Sequence, residues 1–179
     1  MKTVVITGGT DGTGRGLART YLSRFLLSHG LANLLADPVV LNFGGAGRFG
    51  PPRWDDPQQR TQYHGLTAMI QAEILNAALA VGFVGRHPAI RYVNNFPGIV
   101  ATSFAGDDDK AEAAQIGRLR ATGNSVETAV GEILPFLDSG APGHPVAVSE
   151  GGAIPLNSQA SSPADARRLY DYTREVLAR

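Results

Sequence analysis

At 179 residues the chain is long enough to bury one core, and a single domain is expected. Hydrophobic residues make up 43% and charged residues 18%, the balance of a globular rather than a disordered chain. Sixteen Lys and Arg offset sixteen Asp and Glu, so no net field recruits nucleic acid or an anionic membrane, and neither is expected as a partner. Cysteine is absent, which excludes disulfides, thiolate nucleophiles and cysteine-ligated metals. His29, His64, His87 and His144 show no ligand spacing, so no metal site is expected. The apolar run at the start is too short for a signal peptide, and no stretch approaches the ~18 apolar residues of a membrane span. A soluble cytoplasmic protein is expected.

Residues 3–7 read as a buried strand, β-branched and broken by Gly8-Gly9. A helix is expected from about Gly14 to Asp37, with Leu17, Tyr21, Leu22, Phe25, Leu26 and Leu34 at helical spacing and Pro38 as its stop. Residues 39–43 form a second strand. A loop rich in Gly and Pro follows, carrying Phe49 and Trp54, and a long helix is expected over about 58–84. Residues 90–96 are a third strand, closed by Pro97-Gly98. The acidic run 107–109 reads as the start of a helix that contains Ile116 and Leu119. Ser125 with Thr128 opens a further helix, and residues 145–148 form a fourth strand. Ser162-Pro163 caps and starts a final helix. Strands alternating with helices predict one α/β domain over residues 1–179: a reduced, Rossmann-like parallel sheet of about four to five strands with flanking helices.

The segment Thr7-Gly8-Gly9-Thr10-Asp11-Gly12-Thr13-Gly14 lies between a strand and a helix. Glycines there allow close backbone approach, and a helix N-terminus offers N–H groups to an anion, with Arg15 adding charge. A simple tight turn accounts for the motif equally well. The spacing Thr-Gly-x-x-x-Gly-x-Gly, followed by Gly16-Leu17-Ala18, resembles the cofactor loop of the short-chain dehydrogenase/reductases. The segment 97–102, Pro-Gly-Ile-Val-Ala-Thr, is similar to that family's Pro-Gly-x-x-x-Thr. Tyr63 stands about where the family keeps its catalytic tyrosine. The resemblance covers roughly residues 1–20 and 38–104. It implies a dinucleotide at Gly8, Gly12, Gly14 and Arg15, with Thr102 on the nicotinamide carboxamide.

The departures are as informative as the matches. The second to fourth strands of the family's cofactor-binding half have no counterpart, and the residue that reads the adenosine ribose goes with them. The family's Tyr-x-x-x-Lys becomes Tyr63-His64-Gly65-Leu66-Thr67, so no lysine lowers the tyrosine pKa. No serine lies between Phe43 and Tyr63. Arg60, one turn before Tyr63, is a candidate replacement cation, and His64 a candidate acid or base; a solvated arginine and a separate helix face are the competing readings. Phe49, Trp54 and Phe104, on loops at the carboxyl ends of strands, are candidates to line a substrate pocket, with core anchoring an equal alternative for Trp54.

If each strand adds beside the last through a right-handed crossover, the helices all fall on one face and no strand-order reversal is left to form a dinucleotide crevice. The other face would then need covering by the C-terminal helix, by a second subunit or by both, so a homo-oligomer is expected. Losing lysine, serine and ribose-reading strand together argues against hydride transfer. The expected function is a cofactor-independent, non-redox enzyme on a small molecule, a cyclase, isomerase or dehydratase acting on a natural-product intermediate. The alternatives are an NAD(P)-dependent oxidoreductase and a catalytically dead binding module.

Overall fold

The computed structural model describes residues 3–7, 21–34, 37–45, 50–59, 61, 65–101, 117, 121–139, 141–154 and 162–178, with only the backbone of 3–7, 65 and 66. Five strands form one open sheet in the order β1-β2-β3-β4-β5: β1 Thr3–Thr7, β2 Pro38–Phe43, β3 Arg91–Phe96, β4 Pro145–Ser149 and β5 Gly152–Ile154. The first four run parallel, in registers such as Val5↔Val40, Leu41↔Val93 and Val93↔Val146. The short β5 returns antiparallel through Glu150 and Gly151, both at positive φ (46° and 76°), the backbone that a two-residue hairpin turn needs. Among the described residues the helices are α1 Ser23–Leu31, α2 Gly65–Arg86, α3 Val126–Ser139 and α4 Pro163–Leu177. The α/β class and the Rossmann-like parallel sheet follow the sequence expectation.

Side chains alternate across the strands, so each strand feeds both faces. On one face Val40 and Tyr92 pack with Ala80, Phe83 and Val84 of α2. Tyr21 and Phe25 join Leu75 and Leu79 of α2 and Leu169 of α4 in a second cluster on the same side. Gly82 lets α4 approach α2 closely, because a Cβ there would stand 3.4 Å from both Cβ and carbonyl oxygen of Ala166. The segment Thr67–Arg86 of α2 is long and apolar enough to cross a bilayer, but most of it is buried between sheet and helices, as a core helix is.

The second face is not bare. Val39, Leu41, Val93 and Val148 pack beneath Ile133, with Phe136 and Leu137 of α3 closing the cluster. α3 therefore lies opposite α1 and α2, although the parallel strands advance in one direction, and the expectation that every connecting helix shares one face is corrected. The cause is burial: the β-branched undersides of β2, β3 and β4 gain ~1.5–3 kcal/mol per covered side chain, and the amphipathic α3 supplies the cover. Arg91, at the start of β3, donates from Nη1 to the Leu137 carbonyl at 2.6 Å, satisfying one of the last carbonyls of α3. The C-terminal helix α4 packs on α2 instead, on the first face. The face for which the C-terminal helix or a second subunit was the expected cover is thus covered by α3.

Helix boundaries differ from expectation for local reasons. α1 ends at Leu31, leaving Leu34 in a turn and 73% exposed, and Asp37 takes a positive φ of 46° before β2. Among the described residues α2 starts at Gly65, and the helix expected from about Gln58 does not include Gln59, whose φ of 49° is not that of a right-handed helix. The start of α4 is as expected: Ser162 Oγ accepts from the Asp165 N–H at 3.0 Å, with Pro163 in the first turn. Of the helix expected after residue 107, positions 107–116 and 118–120 lie outside the described residues.

Candidate functional site

In an open α/β sheet, ligands bind at the carboxyl ends of the strands. A cavity of about 180 Å³ lies there, against the ends of β2 and β3. Phe43, Gly44 and Gly45 line it from β2, Asn95, Phe96 and Pro97 from β3, Met69, Glu73 and Asn76 from α2, and Arg24 from α1. A buried guanidinium, a carboxylate and two buried carboxamides thus border one small space.

The local sequence explains how these groups reach it. Arg24, in the first turn of α1, stands three positions after Tyr21 of the helical turn before it, so both lie on the side that faces the core, and Arg24 is only 4% exposed. Its Nη2 donates to the carbonyl of Phe43, the last residue of β2. Burial pushes its pKa below the ordinary arginine value. Asn42 and Asn94 are register partners on β2 and β3, fully buried, with Asn42 Nδ2 donating to Asn94 Oδ1 at 3.2 Å. That pair lies against Gly44, which lines the cavity.

Glycine is required on the loop after β2. A Cβ on Gly44 would come within 2.6 Å of Asn42 Nδ2 and closer still to Asn94 Oδ1. Gly45, at φ 72°, faces Glu73, whose side chain fills the space that any substituent there would need. The two glycines let the chain turn over the Asn pair and bring its backbone against Glu73.

Asn76 is 1% exposed, and neither its Oδ1 nor its Nδ2 has a hydrogen-bond partner. Each such buried group costs about 1–3 kcal/mol unless something pairs with it. Asn95, at 2% exposure, lines the same cavity. A second cavity, about 100 Å³, lies between Tyr21 and Leu22 just before α1, Pro57 and Gln58 of the loop after β2, α2 and α4, and is mainly apolar, bordered by Leu75, Leu169 and Val176.

At the other end of the helices His29 and His87 meet, Nδ1 to Nε2, at 3.1 Å. Phe25, Phe83 and Tyr170 surround His29, with ring centroids at 4.6, 5.1 and 5.3 Å. Burial first, then His87 and Arg86, push the His29 pKa down to about 4. Arg86 itself stacks 3.5 Å over the Tyr170 ring.

Two of the residues singled out from sequence fall within the described residues. Thr67 is half-buried near the start of α2, and its carbonyl accepts from Gln59 Nε2 at 3.1 Å. Trp54 does not line the cavity at the strand ends. Its Nε1 donates to Asp165 Oδ1 at 3.2 Å, Arg168 stacks 4.3 Å over its ring, and it packs against the cluster of α1, α2 and α4. Gly8, Gly12, Gly14, Arg15, Phe49, Arg60, Tyr63, His64, Thr102 and Phe104 lie outside the described residues.

Arg24, Glu73, Asn76 and Asn95 were not anticipated. The available signal was a polar residue interrupting an apolar stretch, as Asn76 does in Ile74-Leu75-Asn76-Ala77-Ala78-Leu79. No protein-family model matches the chain, and no curated protein matches it.

Proposed function

We propose that the chain is a small-molecule isomerase or dehydratase on a pared-down scaffold resembling the short-chain dehydrogenase/reductases, working by acid–base chemistry without a dinucleotide. The observation that carries this reading is the cavity shared by Glu73, Arg24, Asn76 and Asn95 at the carboxyl ends of β2 and β3.

Glu73 is the base. Its carboxylate takes a proton from the carbon next to a substrate carbonyl, and the electron pair moves onto the carbonyl oxygen. Arg24 and the Asn95 amide stabilise the enolate oxygen. Where a β,γ double bond conjugates with the enolate, return of the proton from Glu73 to the γ carbon shifts that double bond to the α,β position and completes an isomerisation. Where a hydroxyl stands on the next carbon, the enolate instead expels it, protonated by the Glu73 carboxylic acid, as water. Tyr63, two residues before α2, is proposed as a further proton donor, on the strength of its place in the sequence motif.

Topology supports the absence of a dinucleotide step. β1 is at the sheet edge among the described residues, and the order β1-β2-β3-β4-β5 contains no reversal beside it. A space of about 180 Å³ is also below the ~300–1,000 Å³ of pockets that hold drug-sized ligands.

The test is exchange of α-protons of small ketones, aldehydes and amides in D2O, followed by proton NMR. The protein should accelerate exchange for a subset of these compounds, and Glu73→Gln should lower that rate about a hundredfold or more. Equal exchange by the two proteins would overturn Glu73 as the base.

A further inference from the structure

We infer that the cavity beside Tyr21, Leu75 and Leu169 is a second binding site, for an uncharged apolar molecule about one ring in size. None of the residues that line it borders the cavity at the ends of β2 and β3, so the two sites are separate.

Packed interiors leave few voids larger than a water molecule. Here about 100 Å³ stays open against Tyr21, Leu75, Leu169 and Thr173, each 3% exposed or less. Leu22, Tyr172 and Val176 form the rest of the apolar wall and are only half-buried, so a molecule can enter from the surface. An enclosed apolar cavity of ~150 Å³ stays dry and holds benzene. This smaller one, open at its half-buried rim, takes a single ring with one edge toward solvent.

The polar side chains of the wall bond one another. The Thr173 hydroxyl gives its single proton to the Leu169 carbonyl at 2.7 Å, so in its 2.8 Å contact with Tyr21 the phenol is the donor. Gln58 Nε2 donates to Tyr172 Oη at 2.8 Å. A water in the cavity therefore meets few of the polar partners that an ordered water needs. An apolar ring displaces it without breaking a hydrogen bond of the protein, and gains the dispersion contacts that the gap forfeits. Among the described residues the lining carries no charged side chain. An ion of the same size would lose its hydration there with no counter-charge in return.

Fluorobenzene and benzoate, rings of similar size without and with a charge, test the site by ligand-observed NMR titration. Fluorobenzene should bind saturably with a Kd of about a millimolar, and benzoate about tenfold or more weakly. Nuclear Overhauser contacts locate the ring. They should reach the methyl groups of Leu75, Leu169 and Val176, and not the Met69 methyl, which borders the other cavity. Val176→Phe puts a ring of the protein's own at the rim and should weaken fluorobenzene binding about tenfold or more. If that variant does not fold, the contacts in the unaltered protein decide. Absence of saturable fluorobenzene binding, contacts to Met69 alone, or undiminished binding by folded Val176→Phe each overturns the site. Equal binding of benzoate in the same cavity overturns the apolar class of ligand.

Discussion

His29 Nδ1 and His87 Nε2 lie 3.1 Å apart, joining the C-terminal turn of α1 to the residue just after α2. The contact needs at least one neutral ring, and the aromatic enclosure by Phe25, Phe83 and Tyr170 favours neutrality for His29. In the unfolded chain a histidine titrates near 6.5. In the fold His29 is held down to about 4, and His87 is also lowered, chiefly by burial. Between those values the unfolded chain binds a proton that the folded chain refuses, so stability is full above about pH 6.5 and falls as the pH drops toward 4. Thermal unfolding followed by circular dichroism should show a lower Tm at about pH 5 than at about pH 7. His29→Phe should flatten part of that slope, and an unchanged slope would remove His29 from the effect.

Trp54 and Asp165 tie the loop after β2 to the first turn of α4. Trp54→Phe keeps the apolar bulk but loses the hydrogen bond to a carboxylate and weakens the Arg168 stack. The expected loss is about 1–2 kcal/mol in urea denaturation followed by circular dichroism. No loss would mean that the loop is held by its other contacts, such as Gln58 Nε2 donating to Tyr172 Oη at 2.8 Å.

Gly44→Ala places a methyl group against the buried Asn42 and Asn94 side chains, next to the cavity that Gly44 lines. Fully packed surroundings make overpacking cost about 1–3 kcal/mol, and the Asn pair would have to separate. The variant should unfold at lower denaturant concentration and bind cavity ligands less well. An unaffected variant would show that the loop after β2 can move aside.

The placement of α3 is tested by two neighbouring residues. Ile133, 4% exposed, lies under the sheet, whereas Leu134 is 53% exposed. Ile133→Ala should cost about 2–5 kcal/mol, while Leu134→Ala should stay within about 0.5 kcal/mol. The reverse order would put the other face of α3 against the sheet.

These elements were unequally legible in the sequence. β1 and β2 were readable because continuous runs rich in β-branched residues suit buried strands, and β3 and β4 because short apolar stretches end at Pro-Gly and Ser-Glu-Gly turn signals. The cap of α4 was readable because Ser-Pro is a local signal. β5 was missed: Gly152–Ile154 is too short for a periodic pattern, and only the turn at Glu150-Gly151 makes it a strand. The late start of α2 depends on the backbone of Gln59, which no side-chain pattern encodes. The side of the sheet taken by α3 was decided by the apolar undersides of three strands, a long-range effect that overrode the usual right-handed connection. Arg24, Glu73 and Asn76 were illegible for a related reason. A charged or amide residue on a helix is ordinarily read as solvent-facing, and only tertiary packing gathers these three around one cavity.

Calorimetric titration with NADH and NADPH tests the central claim most directly, because the proposed chemistry at the ends of β2 and β3 needs neither. The account predicts no saturable binding of either nucleotide below about millimolar concentration. Saturable binding of either in the low micromolar range would contradict it and restore the oxidoreductase reading of the glycine loop.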